Sequence, residues 1–322
     1  GAVNTVVNRD GKLYGYNTDY TGFQYMVRKH GVRMNGKKVL IIGNGGASAA
    51  VQAVVRHEGA AQMVIVDIVE GNGAISYEEC YRSHLDAQVI INTSPVGMYP
   101  HGDAAPVDLE RFARCEAVMD VIYNPLMTRL CQQARKRGLV HVNGLEMLVA
   151  QAKQAVEHFL DKPVNDEVID EIYRRLIAER CNIVLIGMPS AGKTSIASLT
   201  AARCGKRHVD MDDVIVETAG RSIPEIFAEE GEEGFRQRER DAAAQLGTAN
   251  GTIISDLSQL ISTDSNRPLS SSKEALAEMY AQRIGLYRRY ADVIVDNNGD
   301  IETAAEAIAA QYAQAIHRAL SE

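Results

Sequence analysis

Twice along the chain a short aliphatic run ends in a glycine-rich turn: Lys38-Val-Leu-Ile-Ile-Gly43 and Asn182-Ile-Val-Leu-Ile-Gly187. A run that is apolar at successive positions, not alternate ones, suits a strand buried on both faces, and such strands belong to parallel sheets covered by helices. A turn without side chains at the end of such a strand lets backbone amides and a helix N-terminus approach an anion. The chain is therefore expected to hold two α/β layers, each with its own phosphate-binding turn. Its 322 residues and 46% hydrophobic content are enough for two cores.

Between the two turns, further apolar runs at Met63 to Val66, Val89 to Ile91, Ala117 to Ile122 and Val140 to Val142 alternate with helical patterns, as in a parallel sheet. Gly144 to Leu160 is expected to be helical, Asp161-Lys-Pro163 to break it, and Asn165-Asp166 to cap a second helix reaching about Ala178. The domain junction is placed there, giving domains 1–178 and 179–322. Ile301 to Leu320 has the pattern of an amphipathic helix packed on its own domain.

The net charge of -8 offers no general attraction to nucleic acid or to an anionic membrane, so phosphate recognition has to be local. No apolar run approaches the roughly 20 residues of a membrane span, and the N-terminus does not read as a signal peptide. The five cysteines lack any zinc-type spacing. A soluble, cytoplasmic protein with reduced thiols is expected.

Gly43-Asn44-Gly45-Gly46-Ala47 has the composition of a dinucleotide turn, and Asp67 closes the next strand, where an acid can accept hydrogen bonds from a ribose 2′-hydroxyl. Around this turn stand Gly1-Ala-Val-Asn4-Thr5, Tyr16-Asn17-Thr18-Asp19, Asn92-Thr93-Ser-Pro-Val-Gly97-Met98, Asp120-Val-Ile-Tyr123-Asn-Pro125 and Asn143-Gly144-Leu-Glu-Met147-Leu-Val-Ala-Gln151. In this order the segments resemble the shikimate dehydrogenase family over residues 1 to 178. The resemblance implies a Rossmann-type NAD(P)-binding domain in which Asn92, Thr93, Gly144 and Met147 join the glycine turn in holding NADP or NAD. It also implies that Asn4, Tyr123 and Gln151 contact shikimate, and that Asp19 is the catalytic aspartate. Read singly, Asp19 could instead cap the following helix and Asn4 could satisfy backbone groups. The family's catalytic lysine and carboxylate-binding serines belong to a substrate domain preceding these motifs, and they are expected to be missing from this chain.

Gly187-Met-Pro189-Ser190-Ala191-Gly192-Lys193-Thr194 fits the GxxxxGK[ST] pattern between a strand and a helix. The backbone from Pro189 through Ser190, Ala191 and Gly192 to Thr194 would cradle a β-phosphate, Lys193 would reach the β/γ oxygens, and the Thr194 hydroxyl would ligate Mg²⁺. Downstream, Val209-Asp210-Met-Asp212, Phe235-Arg236, Arg267-Pro-Leu269 and Arg283-Ile-Gly-Leu-Tyr287 resemble shikimate kinases over residues 181 to 322. That resemblance implies a P-loop kinase domain with a parallel sheet that binds ATP and Mg²⁺. Asp210 would serve the metal and Asp212 the attacking hydroxyl, Arg236 and Arg283 would grip the substrate carboxylate, and Arg267 would close over ATP. Glu239 is expected to orient Arg236, and His208 to be a packed or exposed bystander. A switch GTPase is disfavoured, because no Asn-Lys-x-Asp motif is present.

The kinase family follows its third strand with a glycine triplet, whereas here Thr252-Ile-Ile-Ser255 runs straight into Asp256-Leu-Ser and no triplet occurs anywhere. Ser255 and Asp256 are accordingly expected to flank an excised or missing segment, with a final strand at Val293 to Val295. Taken together, the motifs predict NAD(P)-dependent reduction of 3-dehydroshikimate to shikimate and ATP-dependent phosphorylation of shikimate. The alternative is a catalytically impaired nucleotide-binding or regulatory module.

Overall fold

The computed structural model describes residues 2–188, 191–247, 249–255 and 273–318. Its backbone parts into two compact units, Gly1–Tyr173 and Arg174–Glu322, and the division falls within a single helix. Among the described residues, no helix is long and apolar enough to cross a membrane.

The first unit opens with an antiparallel pair, β1 (Thr5–Arg9) and β2 (Lys12–Tyr16), followed by α1 (Thr18–Lys29). Then come β3 (Lys38–Ile42), α2 (Gly46–His57), β4 (Gln62–Val66), β5 (Ala74–Ile75), α3 (Tyr77–Ser83) and β6 (Val89–Asn92). A short 3₁₀ turn (Leu109–Arg111) precedes β7 (Ala117–Asp120), α4 (Arg129–Lys136), β8 (Val140–Val142) and α5 (Leu145–Leu160). The six-stranded sheet has the order β5-β4-β3-β6-β7-β8 and is parallel throughout. Asp67 and Ile122 fall just beyond the strands that the sequence runs suggested.

Pleating sends alternate residues of each strand to opposite faces. Val39 and Ile41 join Phe23, Met26, Val51, Val54 and Met147 in one core, while Leu40 and Ile42 join Val66, Cys80, Phe112 and Leu130 in the other. The unit is thus a three-layer α/β structure with β3 buried on both sides, as the unbroken apolar run requires.

α6 (Glu167–Arg180) starts where Asn165 Oδ1 accepts from the Glu167 amide, and it leads into the second unit. There follow β9 (Ile183–Val184), α7 (Lys193–Cys204), β10 (Arg207–Asp210), α8 (Met211–Ala219), α9 (Ile223–Gly247, kinked at Gly231), β11 (Thr252–Ser255), α10 (Lys273–Tyr290) and α11 (Ile301–Arg318). The sheet is parallel, in the order β10-β11-β9, with Ile254 facing α8 and α9 and Ile253 facing α7.

One expectation is corrected here. Val293 to Val295 forms no strand and pairs with no described strand; Ile294 is 70% exposed, and Val295 packs beside Leu185, Ile196 and Ala305. An apolar triplet becomes a strand only against a ladder partner, and among the described residues β9 offers just two residues at the sheet edge. The Ser255–Asp256 junction, Pro189, Ser190 and Arg267 lie outside the described residues.

Phe23 is fully buried where α1 meets the sheet. Phe23→Ala is expected to cost the first unit about 3–5 kcal/mol, measured by urea unfolding. A loss below about 1 kcal/mol would mean that this core is not the close-packed layer described.

Candidate functional site

In the first unit the C-terminal ends of β3, β6 and β7 lie side by side, with Ile42 opposite Asn92 and Asn92 opposite Asp120. The glycine turn leaves β3 at Gly43, whose φ is 95° and whose amide donates to Val66 O at 2.7 Å. A Cβ on Gly43 would stand 2.9 Å from the Ser94 nitrogen and 3.0 Å from Thr93 Oγ1, so only glycine fits. Gly45 and Gly46 open α2 toward solvent, with no side-chain cap and no acid in the first turn. Those uncapped amides and the positive helix end form a cradle that suits a pyrophosphate. Asn44 and Ala47 border the cradle half-exposed, and the Asn44 side chain accepts from Gln52 Nε2 at 3.2 Å.

Asp67 sits beside this turn. Its Oδ2 accepts from the Asn44 amide at 2.6 Å and its Oδ1 from the Val69 amide at 3.0 Å, so the carboxylate is held against the loop. Thr93 Oγ1 donates to Ile42 O at 2.8 Å and fastens the neighbouring loop to the end of β3.

Two residues expected to line the dinucleotide are buried. Asn92 is fully buried; its Nδ2 donates to Asp120 Oδ1 at 3.0 Å and to Val96 O at 3.2 Å, while its Oδ1 accepts from the Ser94 amide and hydroxyl at 3.0 and 2.7 Å. Every polar group of Asn92 is thereby engaged, and the residue supports the loop without facing it. Met147 packs into the core with Phe23 and Met26. Gly144 is held by sterics, because a Cβ there would fall 1.9 Å from Val121 O.

Of the residues expected to contact substrate, Asn4 and Asp19 lie at the start of α1, and Gln151 lies on α5 where it packs against α1. Asn4 Oδ1 accepts from the Thr18 amide at 2.9 Å, which fixes it at the start of α1. Asn17, not Asp19, is the helix cap, with its side chain accepting from the Tyr20 amide at 3.2 Å. Among the described residues the Asp19 carboxylate has no hydrogen-bonding or ionic partner. One turn further on, Gly22 lets α5 approach until Gln151 Cβ lies 3.2 Å from where a Gly22 Cβ would stand. Gln151 Oε1 is buried without a described hydrogen-bond donor. Tyr123 is 39% exposed in the turn after β7. A separate cleft of about 680 Å³ is lined by Tyr25, Lys29, Lys153, Gln154 and Asp170, with none of these candidates on its wall.

In the second unit Gly192 caps α7 at φ 75°. Lys193 is buried and folds back to donate to Met188 O at 2.7 Å and Gly187 O at 3.2 Å. Thr194 Oγ1 donates to Asp210 Oδ2 at 2.9 Å, so the hydroxyl and carboxylate expected to serve Mg²⁺ already converge. Asp210 Oδ1 caps α8 by accepting from the Asp212 amide at 3.0 Å, which places Asp212 in the first turn. Sequence reasoning missed Ser255, which donates to Asp210 Oδ2 at 3.0 Å, and the position of His208, whose ring nitrogens lie 3.0 Å from Ser198 Oγ and 2.9 Å from Ser255 Oγ. Arg236 donates to Glu239 at 2.9 Å, in keeping with the orienting part expected of that acid. On α10 Arg283 is 4% exposed, and both Arg283 Nη1 and Tyr287 Oη are buried without a described partner.

A shikimate dehydrogenase (NADP(+)) of Clostridium perfringens is 33% identical over 186 residues, spanning 55% of this chain and 68% of that protein. The homologue of Clostridium beijerinckii is 34% identical and spans 54% and 67%. The chain belongs to the shikimate dehydrogenase family. The solved chorismate mutase/shikimate 5-dehydrogenase fusion protein of Clostridium acetobutylicum shares 36% identity and a TM-score of 0.51, over 54% of this chain and 66% of that one. After this shikimate dehydrogenase part, the family model described as shikimate kinase matches residues 189–256. That range contains Gly192, Lys193, Thr194, Asp210, Asp212 and Arg236, in keeping with a partial dehydrogenase/kinase fusion.

Burial pushes Asp120 up to about 6, with the hydrogen bonds from Thr128, the Ile122 amide and Asn92 recovering only part of the cost of desolvation. A carboxyl raised above its unfolded value stabilises the fold in acid and loses that contribution as pH rises through about 6. Asp120→Asn is therefore expected to flatten the decline in first-unit stability between pH 5 and pH 8 by about 1.4 kcal/mol, the share of the loss that falls between pH 5 and about 6. Urea unfolding of both proteins at the two pH values measures it, and parallel declines would contradict the assignment.

Proposed function

We propose that the first unit carries the dinucleotide site and one wall of the shikimate site of an NAD(P)-dependent shikimate dehydrogenase, and that the second unit is the nucleotide-binding part of a shikimate kinase. The observation that carries the first half is the Asp19 carboxylate, without a described partner in the first turn of α1, whose neighbour Thr18 donates its amide to Asn4 and whose next turn packs through Gly22 on Gln151. Short polar groups suit a polyol, and a substrate hydroxyl would give the buried Gln151 Oε1 the donor it lacks. Asp19 would take or return the proton of the hydroxyl that becomes a carbonyl, and Tyr123 would border the same substrate. The bound nicotinamide supplies the hydride chemistry. The turn from Gly43 to Ala47 would hold its pyrophosphate, with Thr93 and Gly144 shaping the approach.

The curated relatives above are named for NADP(+). In this chain Asp67 is fixed beside the glycine turn, where a carboxylate accepts from a ribose 2′-hydroxyl and repels a 2′-phosphate. NAD(H) is expected to bind at least as well as NADP(H) in equilibrium titrations. A tenfold preference for NADP, about 1.4 kcal/mol, would overturn this reading of Asp67.

For the second unit, the convergence of Thr194 and Asp210, with Lys193 folded over the loop that holds Ala191 and Gly192, supports binding of ATP with Mg²⁺. Arg236 and Arg283 would hold a planar carboxylate, and Asp212 would meet the attacking hydroxyl. Because the chain lacks the glycine triplet, nucleotide binding without efficient phosphoryl transfer is the second reading of this half. Lys193→Ala is expected to abolish ATP binding, and Arg236→Ala to leave it within about twofold. Equal losses in calorimetric titration would remove the division of roles. Shikimate-dependent ATP hydrolysis by the whole chain separates kinase from binding module.

A further inference from the structure

Asp120 has no part in the chemistry proposed above, yet it joins the two sets of residues that do. On one side, Asn92 Nδ2 donates to Asp120 Oδ1 at 3.0 Å, and Asn92 Oδ1 accepts from the amide and hydroxyl of Ser94. Ser94 in turn lies against Gly43, so close that no side chain fits between them. On the other side, the Ile122 amide donates to Asp120 Oδ1 at 3.1 Å at the entry to the Tyr123 turn, and Thr128 Oγ1 donates to Oδ2 at 2.8 Å. The same turn seats α5, because the Gly144 amide donates to Ile122 O at 2.9 Å and Val121 O leaves no room for a Cβ on Gly144. α5 carries Gln151.

We infer that Asp120 is a positioning residue that holds the dinucleotide loop and the Tyr123 turn in one common geometry. The inference rests on the dehydrogenase reading. A carboxylate only accepts, so it obliges Asn92 to turn its NH₂ toward β7 and its carbonyl toward Ser94. The opposite amide orientation would aim donors at the Ser94 amide and lift the loop from Gly43. Thr128, Ile122 and Asn92 use up the carboxylate from three directions, so a fully buried charge is retained where a neutral side chain would cost less. Among the described residues, the titratable group that Asp120 acts on is the buried thiol of Cys131 on α4, pushed up to about 12 by burial and by Asp120.

Asp120→Asn tests this, since an amide can donate or accept on either side and no longer imposes an orientation on Asn92. At pH 8 the variant is expected to be at least as stable as the parent chain, yet to bind NAD⁺ and NADP⁺ about tenfold or more weakly. Hydrogen exchange without nucleotide should quicken at Ser94 and Ile122 together. Thr128→Val serves as a comparison, because it loosens the same pocket but leaves the acceptor facing Asn92; it should weaken binding much less. Nucleotide affinity within about twofold of the parent, exchange that changes on one side only, or equal losses in the two variants would each overturn the proposal. A parent chain that bound neither nucleotide would defeat the dehydrogenase reading, while exchange at Ser94 and Ile122 would still decide the coupling.

Discussion

A parallel strand covered on both faces can present chemistry only where it ends, and that constraint organises both units. β3 has no exposed side chain from Val39 to Ile42, so whatever it contributes comes at Gly43. β6 and β7 end in the same plane with Asn92 and Asp120, which are polar residues with no solvent to satisfy them. Their hydrogen bonds must be made within the protein, and the partners within reach are the loops that follow. The need to satisfy buried polar groups therefore becomes the means of fixing the loops.

Two buried carboxylates in the first unit show how partner charge decides ionisation. Burial raises Asp120, and the neutral donors around it do not reverse this. Burial also acts upward on Glu146, but its hydrogen bonds to His30 and Lys29, reinforced by their charge, leave it below the usual carboxylate range. Lys29 extends the cluster to Asp170 at the head of α6. A lone carboxylate among neutral donors under the loops and a cluster of opposite charges between helices are accordingly different devices. The cluster of opposite charges ties elements together, whereas the lone carboxylate keeps an acceptor in a required direction.

The strands and glycine turns were legible because buried parallel strands leave unbroken apolar runs, and the family was legible because its short motifs keep a fixed order. The β1–β2 hairpin was not foreseen, although Asp10-Gly11 stands between its strands with φ of 51° and 83°, the positive values of a tight hairpin turn. The alternation in these five-residue strands is too brief to stand out, and much of β2 is exposed. Asn92 and Met147 carry the right motif at the right place, but a one-dimensional pattern does not tell a residue lining a loop from one supporting it from below. The contacts of Ser255 with the Asp210 carboxylate and with His208 were illegible for a related reason, since they depend on the register between β10 and β11.

With a net charge of -8, the chain can receive phosphates only where the local field is positive. Among the helices with a described N-cap, α2 and α7 alone have neither a side-chain cap nor an acid in the first turn. Both begin at a glycine, and both follow a strand of a parallel sheet. Capping stabilises a helix by roughly 1 kcal/mol, so an uncapped start gives up stability to leave amide donors free for a ligand. The two differ in what they add. α7 starts with Lys193, a cation for a terminal phosphate, whereas α2 adds no charged side chain and has Asp67 beside it. The start of α2 thus offers amides and the helix dipole alone, with the Asp67 carboxylate held beside it, whereas the start of α7 adds the Lys193 cation to them.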